Sequence, residues 1–476
     1  MVNDHSTSRM TFALRPGSSL YFIGIGGIGM SALARIFYRQ GYRVVGSDAA
    51  ASTIVNELRK EGIDVFTGHH HKPTGVDVAV YSSAIGDGND EYRWFVENKV
   101  PLVPRGMLLA FLMRQGLSVG VTGTHGKTTT SALIAYLAHE AGLQPTAVIG
   151  GYMKNVWSNI MYGNGTLYIA EVDESDKSHL LYSPAITVLT NLEEDHLDNY
   201  AGMDDIRTAF RSYLNGLAPD ARIVYCSDDT ELSALLADTK YAAISYGITS
   251  AARYQARNIE YQDTMTKFEL WRDGRYVTDI AIRIPGTHNV LNALAAVAVL
   301  ELMGRDACTL LPSFCSFMGV KRRLDVLYED TSVRIVDDYA HHPTEIANVL
   351  QTVKRQGKRV VAVYQPHRYS RTKHLLNEYG DTFTAADKLI ITDVYAAGEK
   401  PIDGITSHVL ADSIRKTYTK SCTVVGKDVL LLHLNRVVQK GDTVIFLGAG
   451  DLTAVAQEYA KKQEAQQKSS HNAVNW

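Results

Sequence analysis

Two glycine-rich turns in this chain have the residue types and spacing to hold phosphate. The first is Gly24-Ile25-Gly26-Gly27-Ile28-Gly29, a GxGxxG run between an apolar stretch, Leu20 to Ile25, and a helix-patterned stretch from about Met30 to Gln40. Glycine permits the tight turn and the close backbone approach, and the following helix presents free N–H groups to an anion. Asp48 ends the next apolar run, where an acid can reach a ribose. Read alone, the pattern fits a dinucleotide or any nucleotide diphosphate, a UDP-sugar included, and Asp48 fits a solvated loop carboxylate equally well.

The second turn is Gly123-Thr124-His125-Gly126-Lys127-Thr128-Thr129-Thr130, after the apolar run Ser118–Thr122 and before a helix pattern from Thr128 to Ala141. Backbone N–H groups would wrap phosphate oxygens, Lys127 would neutralise the β and γ phosphates, and the Thr128 hydroxyl would ligate Mg²⁺. Val121 replaces the first glycine of the usual GxxxxGK[ST] motif. A dehydrogenase needs only the first turn and a simple ATPase only the second. An enzyme joining a nucleotide-linked substrate to something else at the expense of ATP needs both.

Acids follow the next apolar runs: Glu171-Val172-Asp173-Glu174-Ser175-Asp176, and Thr190 to Asp198 with His196. Carboxylates at strand ends beside a phosphate loop hold hard cations, although such runs are also commonly solvated loops. Farther along stand His341, His342, His367, Arg368 and Arg371. Arginines clamp carboxylate or phosphate in bidentate fashion, and histidines orient or deprotonate an amine. Adjacent histidines without further ligands at metal spacing argue against a transition-metal site at His341-His342. His69-His70-His71 is read as an exposed loop with one histidine near the nucleotide.

These groups need elements to position them. Apolar runs alternate with helical patterns throughout, which predicts α/β architecture with parallel sheets. With 476 residues and 45% hydrophobic content, three domains are expected. They are residues 1–115, Rossmann-like; 116–319, a P-loop-type ATPase unit; and 320–476, again a Rossmann-like parallel sheet. The stretch Lys461 to Trp476 is read as a frayed polar tail. Net charge is −3, which excludes a large basic nucleic-acid surface. The 4 cysteines form no CxxC pair, so free thiols in a reducing compartment are expected. Met1 to Pro16 lacks an apolar signal-peptide core, and no apolar run reaches the roughly 18 residues of a membrane span. A cytoplasmic protein without membrane or nucleic-acid partners is expected, as a monomer or weak homodimer.

In their order along the chain, Gly123–Thr130, Glu171–Asp176, Thr190–His196, Gly286-Thr287-His288-Asn289 with Asn292, and Arg323 resemble the motifs of the Mur ligase family, and the resemblance extends from about Leu20 to Leu452. It implies a ligase that uses ATP and Mg²⁺. Lys127 would hold the phosphates, with Gly123, Thr124, His125, Gly126, Thr128 and Thr129 around them. Thr128, Glu171 and His196 would position magnesium. Asn289 and Asn292 would contact adenine or its surroundings, and Arg323 and Asp338 would reach ATP from the third domain. For the two asparagines alone, helix capping and packing is the simpler reading.

Three stretches, GIGGIGMSALA at Gly24–Ala34, DDYAHHPTEI at Asp337–Ile346 and QPHRYSRT at Gln365–Thr372, resemble the alanine-adding branch. That implies UDP-N-acetylmuramate on Gly24, Gly26, Gly27, Ile28, Gly29, Asp48, Ser82 and Ser83. It also implies that L-alanine lies near His341, His342, His367, Arg368 and Arg371. Several family members carry a carbamylated lysine on the helix after the second acidic motif. Here that helix reads Ala209-Phe210-Arg211-Ser212-Tyr213, without lysine, in agreement with the same branch. Three alternatives stay open: a relative that attaches a ready-made peptide, an NAD-dependent oxidoreductase, and a non-catalytic nucleotide switch.

Overall fold

The computed structural model describes residues 14–262 and 265–474. Most of Met1 to Pro16, and Trp476, lie outside the described residues. Three sheets follow one another along the chain.

The first has five parallel strands in the spatial order Asp64–Thr67, Arg43–Asp48, Ser19–Ile23, Val78–Tyr81, Leu102–Pro104. Chain order reverses at Ser19–Ile23, so its carboxyl end and that of Val78–Tyr81 flank a crevice of the kind that takes nucleotides. The glycine turn and Ser82 stand there.

The second sheet has ten strands, ordered Arg275–Ile282, Thr266–Arg272, Tyr254–Tyr261, Ala242–Gly247, Arg222–Cys226, Ile186–Leu189, Leu117–Thr122, Leu167–Glu171, Thr146–Met153, Ser158–Met161. The strand before the second glycine turn, Leu117–Thr122, sits between Ile186–Leu189 and Leu167–Glu171 and is parallel to both. Both acidic runs therefore emerge on either side of the phosphate loop.

The third sheet is ordered Asp325–Glu329, Val333–Asp338, Asp442–Leu447, Val360–Tyr364, Lys388–Ile391, Ser421–Val424. It departs from an all-parallel sheet in its first strand, which pairs antiparallel to Val333–Asp338 across a bulge. The segment read as a frayed tail is helical: one helix runs Leu452–Val474, and its Gln467 Oε1 lies 3.1 Å from Tyr328 Oη. Its first turns bury Leu452, Ala456 and Tyr459 on the sheet, and helix propagates outward from that packed nucleus.

One apolar core runs from Leu20 to Val320 and joins the first two units, whereas the two faces of the third sheet have cores of their own. The change falls at Gly319, with φ +80°, and the next turns hold Arg322 and Leu324 left-handed at φ 59° and 46°. The four cysteines are free. Among the described residues no helix is long and apolar enough to cross a membrane.

Candidate active site

At the first glycine turn, Gly24 (φ +81°) and Ile25 both donate their N–H to Ser47 O at 2.9 Å. Gly26 N–H donates to Asp48 Oδ2 at 2.8 Å, and a Cβ on Gly26 would meet that same oxygen. Asp48 thus shapes the loop from the neighbouring strand. Gly27, Ile28, Gly29 and Ser82 line a cavity of about 250 Å³ whose far wall is Glu171 and Asp173. Arg105, which the sequence did not single out, enters this cavity so closely that a Cβ on Gly29 would lie 2.9 Å from its Nη1. Its Nη2 is 3.8 Å from Asp173. Ser83 and Ile28 open onto the larger cleft described below.

The second turn is fixed by contacts only glycine allows. A Cβ on Gly123 would lie 2.4 Å from Thr190 Oγ1, and both Gly123 and Gly126 have positive φ. Asn191 accepts from the N–H groups of Thr124 through its carbonyl and of His125 through its side chain, at 3.1 and 2.8 Å. Lys127 Nζ donates to Gly123 O, Thr124 O and Glu174 Oε1 at 2.6, 3.0 and 2.7 Å. Burial disfavours the ammonium, but Glu174, Asp173 and Glu171 outweigh it and keep the lysine firmly protonated.

Thr128 Oγ1 donates to Glu171 Oε2 at 2.8 Å, and His196 Nε2 lies 3.4 Å from Glu174 Oε1. Burial raises the Glu171 carboxyl. Glu174 Oε2 is buried without a hydrogen-bond partner, and Gly150 packs so tightly that a Cβ there would overlap Glu171 Oε2. Thr128 and Glu171 bring a hydroxyl and a carboxylate oxygen together, chemistry that suits a small hard cation such as Mg²⁺, and His196 stands beside Glu174.

Asn289 and Asn292 line a cavity of about 270 Å³ with Cys226, Tyr246, Ile284, Arg323 and Asp338. Their side chains nevertheless satisfy each other: Asn292 Nδ2 donates to Asn289 Oδ1 at 3.0 Å, and Asn292 Oδ1 accepts from Thr130 Oγ1 at 2.9 Å. Helix packing is what these bonds do in this state. Asp338 accepts from Leu324 N and Ala340 N at 2.6 and 2.8 Å, and burial pushes its pKa up to about 6. Asp338 therefore pins the turn that carries Arg323.

From the third unit, Arg371 donates Nε and Nη2 to Asp195 Oδ1 at 3.2 and 3.0 Å, and Arg368 Nη1 donates to Asp198 at 2.5 Å. Against the cost of burial, Arg371 holds the Asp195 carboxyl far below its usual range. His341 Nδ1 lies 3.0 Å from Tyr339 O, which can only accept, so Nδ1 carries the proton and Nε2 offers its lone pair. Burial and Arg371 lower His341 to about 3 and His367 to about 4. Both are neutral acceptors at pH 7. His342 departs from the expected place beside the reacting groups: it caps the helix Pro343–Lys354 and faces His125, ring centroids 4.9 Å apart. The triple histidine is also not an exposed loop. Only His70 is exposed; His71 stacks on Phe66 at 3.7 Å, and His69 Nδ1 lies 3.1 Å from Ser47 Oγ.

A cleft of about 990 Å³ joins the three units. Ile28 and Ser83 line it from the first, Lys127, Thr128, Glu171 and His196 from the second, and His341, His367, Arg368 and Arg371 from the third. His125, Gly126, Arg323 and Glu345 line both this cleft and the 270 Å³ cavity, so the two are neighbours across that wall.

Family profiles match in sequence: the Mur ligase family catalytic domain over residues 19–116, the Mur ligase middle domain over 121–300, and the Mur ligase glutamate ligase domain over 322–450. The UDP-N-acetylmuramate–L-alanine ligase of Syntrophotalea carbinolica is 40% identical over 446 residues, 93% of this chain and 97% of that protein. The enzyme of the same name from Anaeromyxobacter is 40% identical over 456 residues, 95% of this chain and 99% of its own. Among solved structures, the UDP-N-acetylmuramate–alanine ligase of Thermotoga maritima superimposes with TM-score 0.80 at 30% identity, covering 94% of this chain and 99% of that one. A murein peptide ligase from Psychrobacter arcticus shares the fold, with TM-score 0.69 at 22% identity.

Proposed function

The chain belongs to the Mur ligase family, and on that footing we propose that its three-walled cleft is where UDP-N-acetylmuramate, ATP and L-alanine meet. The protein is an ATP-dependent ligase that joins L-alanine to the lactoyl carboxylate of UDP-N-acetylmuramate, a step in peptidoglycan precursor synthesis. The observation that carries the site reading is the shared cleft, with a phosphate loop, a hard-cation donor set and a cluster of neutral histidines and arginines on facing walls.

A carboxylate repels an amine's lone pair and has no good leaving group. Its oxygen attacks the γ-phosphorus of ATP, the bond to ADP breaks, and an acyl phosphate forms. The amine of L-alanine then attacks the acyl carbon, and phosphate departs carrying one former carboxylate oxygen. Lys127 exchanges Glu174 for the β and γ phosphates as ATP enters. Thr128, Glu171 and His196 would hold Mg²⁺, whose contribution is to neutralise charge on the phosphoryl oxygens. Arg105 and the first glycine turn hold the acidic nucleotide substrate, and Ser82, Ser83 and Asp48 shape that pocket. Arg368 and Arg371 take the alanine carboxylate and His341 Nε2 accepts a hydrogen bond that orients its amine, while His367 Nδ1 accepts from Arg371 Nη1 at 3.2 Å and steadies that arginine. With a pKa of about 3, His341 directs the amine rather than storing its proton. Arg323 approaches ATP across the wall that both cavities share.

The units divide as residues 1–115 for the UDP substrate, 116–319 for ATP, and 320–476 for the amino acid. All partners are small molecules, the reaction belongs in the cytoplasm, and the protein acts as a monomer or weak homodimer. The acyl-phosphate step is tested with UDP-N-acetylmuramate carrying ¹⁸O in its lactoyl carboxylate. Label appearing in the released phosphate supports the reading; phosphate free of label contradicts it.

A further inference from the structure

We propose that His125, Glu193 and His342 form a site for a borderline-soft divalent cation such as Zn²⁺, distinct from the oxygen-rich magnesium position, which ties the second unit to the third. Their donor atoms lie within 4.8 Å of one another. His125 Nε2 is 3.4 Å from Glu193 Oε2, and His342 Nδ1 is 3.8 Å from the same oxygen. Two ligand atoms bound at about 2.05 Å to a tetrahedral centre sit roughly 3.3 Å apart, so the first pair already has the spacing of a tetrahedral edge.

The surroundings are those of a prepared metal site. His125 Nδ1 lies 3.2 Å from Glu345 Oε1, and a carboxylate can only accept. That contact holds a proton on Nδ1 and aims Nε2 at Glu193, so a cation arriving there would take the place of the Nε2 proton that the Glu193 carboxylate favours and complete the carboxylate–histidine–metal relation seen at zinc centres. Thr344 Oγ1 donates to Glu193 Oε2 at 2.8 Å and holds the carboxylate in place. Both His125 Nε2 and His342 Nε2 are buried without a hydrogen-bond partner, and His342 is only 3% exposed. His342 Nδ1 accepts the capping N–H of Thr344 at 3.4 Å, and its buried Nε2 without a partner is costly unless a ligand meets it.

Two nitrogens and one oxygen favour zinc over magnesium, which prefers an octahedral oxygen shell with several waters. Three protein ligands leave a fourth position open. His125 and Glu193 line the cavity that holds Asn289 and Asn292, and His342 caps a helix of the third unit. A bound zinc ion would therefore clamp the third unit to the second and narrow the wall between the two cavities. The functional consequence is inhibition by zinc that magnesium does not relieve.

The test is independent of the ligase activity. The full-length protein is titrated with Zn²⁺ against a chromophoric chelator in excess Mg²⁺, and a zinc-soaked crystal is measured at the zinc absorption edge. The proposal expects one tight site and an anomalous peak between His125, Glu193 and His342. His342→Asn retains a good helix cap but removes the imidazole. It should weaken zinc binding at least about tenfold, since even outer-shell losses cost that much. Glu193→Gln serves as the second variant should His342→Asn melt below the wild type. No tight zinc, a peak elsewhere, or unchanged affinity in a folded variant would overturn the proposal.

Discussion

Lys127 is the cation of the second phosphate turn, and Glu174 is its carboxylate partner. Lys127 and Glu174 are 11% and 3% exposed and lie 2.7 Å apart. Lys127→Met should lower kcat by about 10²–10³-fold, the usual result of removing a charge aimed at a developing oxyanion. It should also destabilise the fold by about 3 kcal/mol, because the buried Glu174 loses its ammonium partner and keeps only the longer contact to His196. Adding Glu174→Gln should restore melting but not ligation; recovery of both would mean that Lys127 is only structural. The types at Gly123–Thr128, Glu171 and His196 were legible in the sequence because their chemistry is local. Arg105, Glu174 and Asp195 act through partners far along the chain, as in the Arg371–Asp195 pair 176 residues apart, and no local pattern announces such contacts. His342 was misplaced because a helix N-cap and a substrate ligand look alike in one dimension.

At the scale of elements, the strands and helices that carry the glycine turns were readable from apolar runs, and their pairing was not. Order within a parallel sheet depends on crossovers that periodicity does not encode. The join between the first helix, Ile28–Arg39, and the edge hairpin of the second sheet is one such case. Asn159, fully buried, donates to Ile28 O at 2.6 Å and Ser31 Oγ at 3.1 Å, and accepts from Arg35 Nη1 at 2.8 Å. It thereby fixes the start of the helix that follows the first glycine turn. Asn159→Ala should cost about 1–3 kcal/mol and raise KM for UDP-N-acetylmuramate with little change in kcat. An unchanged KM, in a variant whose melting has fallen, would show that the loop keeps its shape without this anchor.

Stability at the junction of the second and third units depends on pH through His125. Burial lowers the affinity of His125 for a proton, but Glu345 and Glu193 overcome it and hold the pKa at about 9, above the ordinary 6.5. A group whose pKa rises on folding stabilises the native state below its unfolded pKa and loses that contribution as pH climbs through the folded value. His341, His367 and His288, lowered by burial to about 3, 4 and 4, act in the opposite sense and lose their contribution as pH falls from 6.5 toward those values. Melting measured with a chelator present should therefore decline on both sides, from about pH 6.5 to 9 and from about pH 6.5 to 4. His125→Gln should remove the alkaline decline; its persistence would contradict this assignment.

Over the whole molecule, the continuous core from Leu20 to Val320 and the separate cores of the third sheet make the turn at Gly319 the place where the structure can bend. The third unit is docked here through polar contacts, Arg371 to Asp195, Arg368 to Asp198 and Thr344 to Glu193. Such contacts are easier to open than apolar ones. Asp195→Asn with Asp198→Asn should enlarge the radius of gyration of the free protein in small-angle scattering, and an ATP analogue with Mg²⁺ and UDP-N-acetylmuramate should reverse it. An unchanged radius would mean that the third unit is held by other means. The sequence indicated three units through its length and motif order, but the fusion of the first two into one core appears only in three dimensions.

The most direct test of the central claim is to supply the purified chain with ATP, Mg²⁺ and UDP-N-acetylmuramate, with L-alanine or a tripeptide as amine, and to follow phosphate release together with the mass of the nucleotide product. The account predicts release that requires both the nucleotide substrate and L-alanine, with a product heavier by one alanyl residue. Release with the tripeptide and none with L-alanine would contradict it.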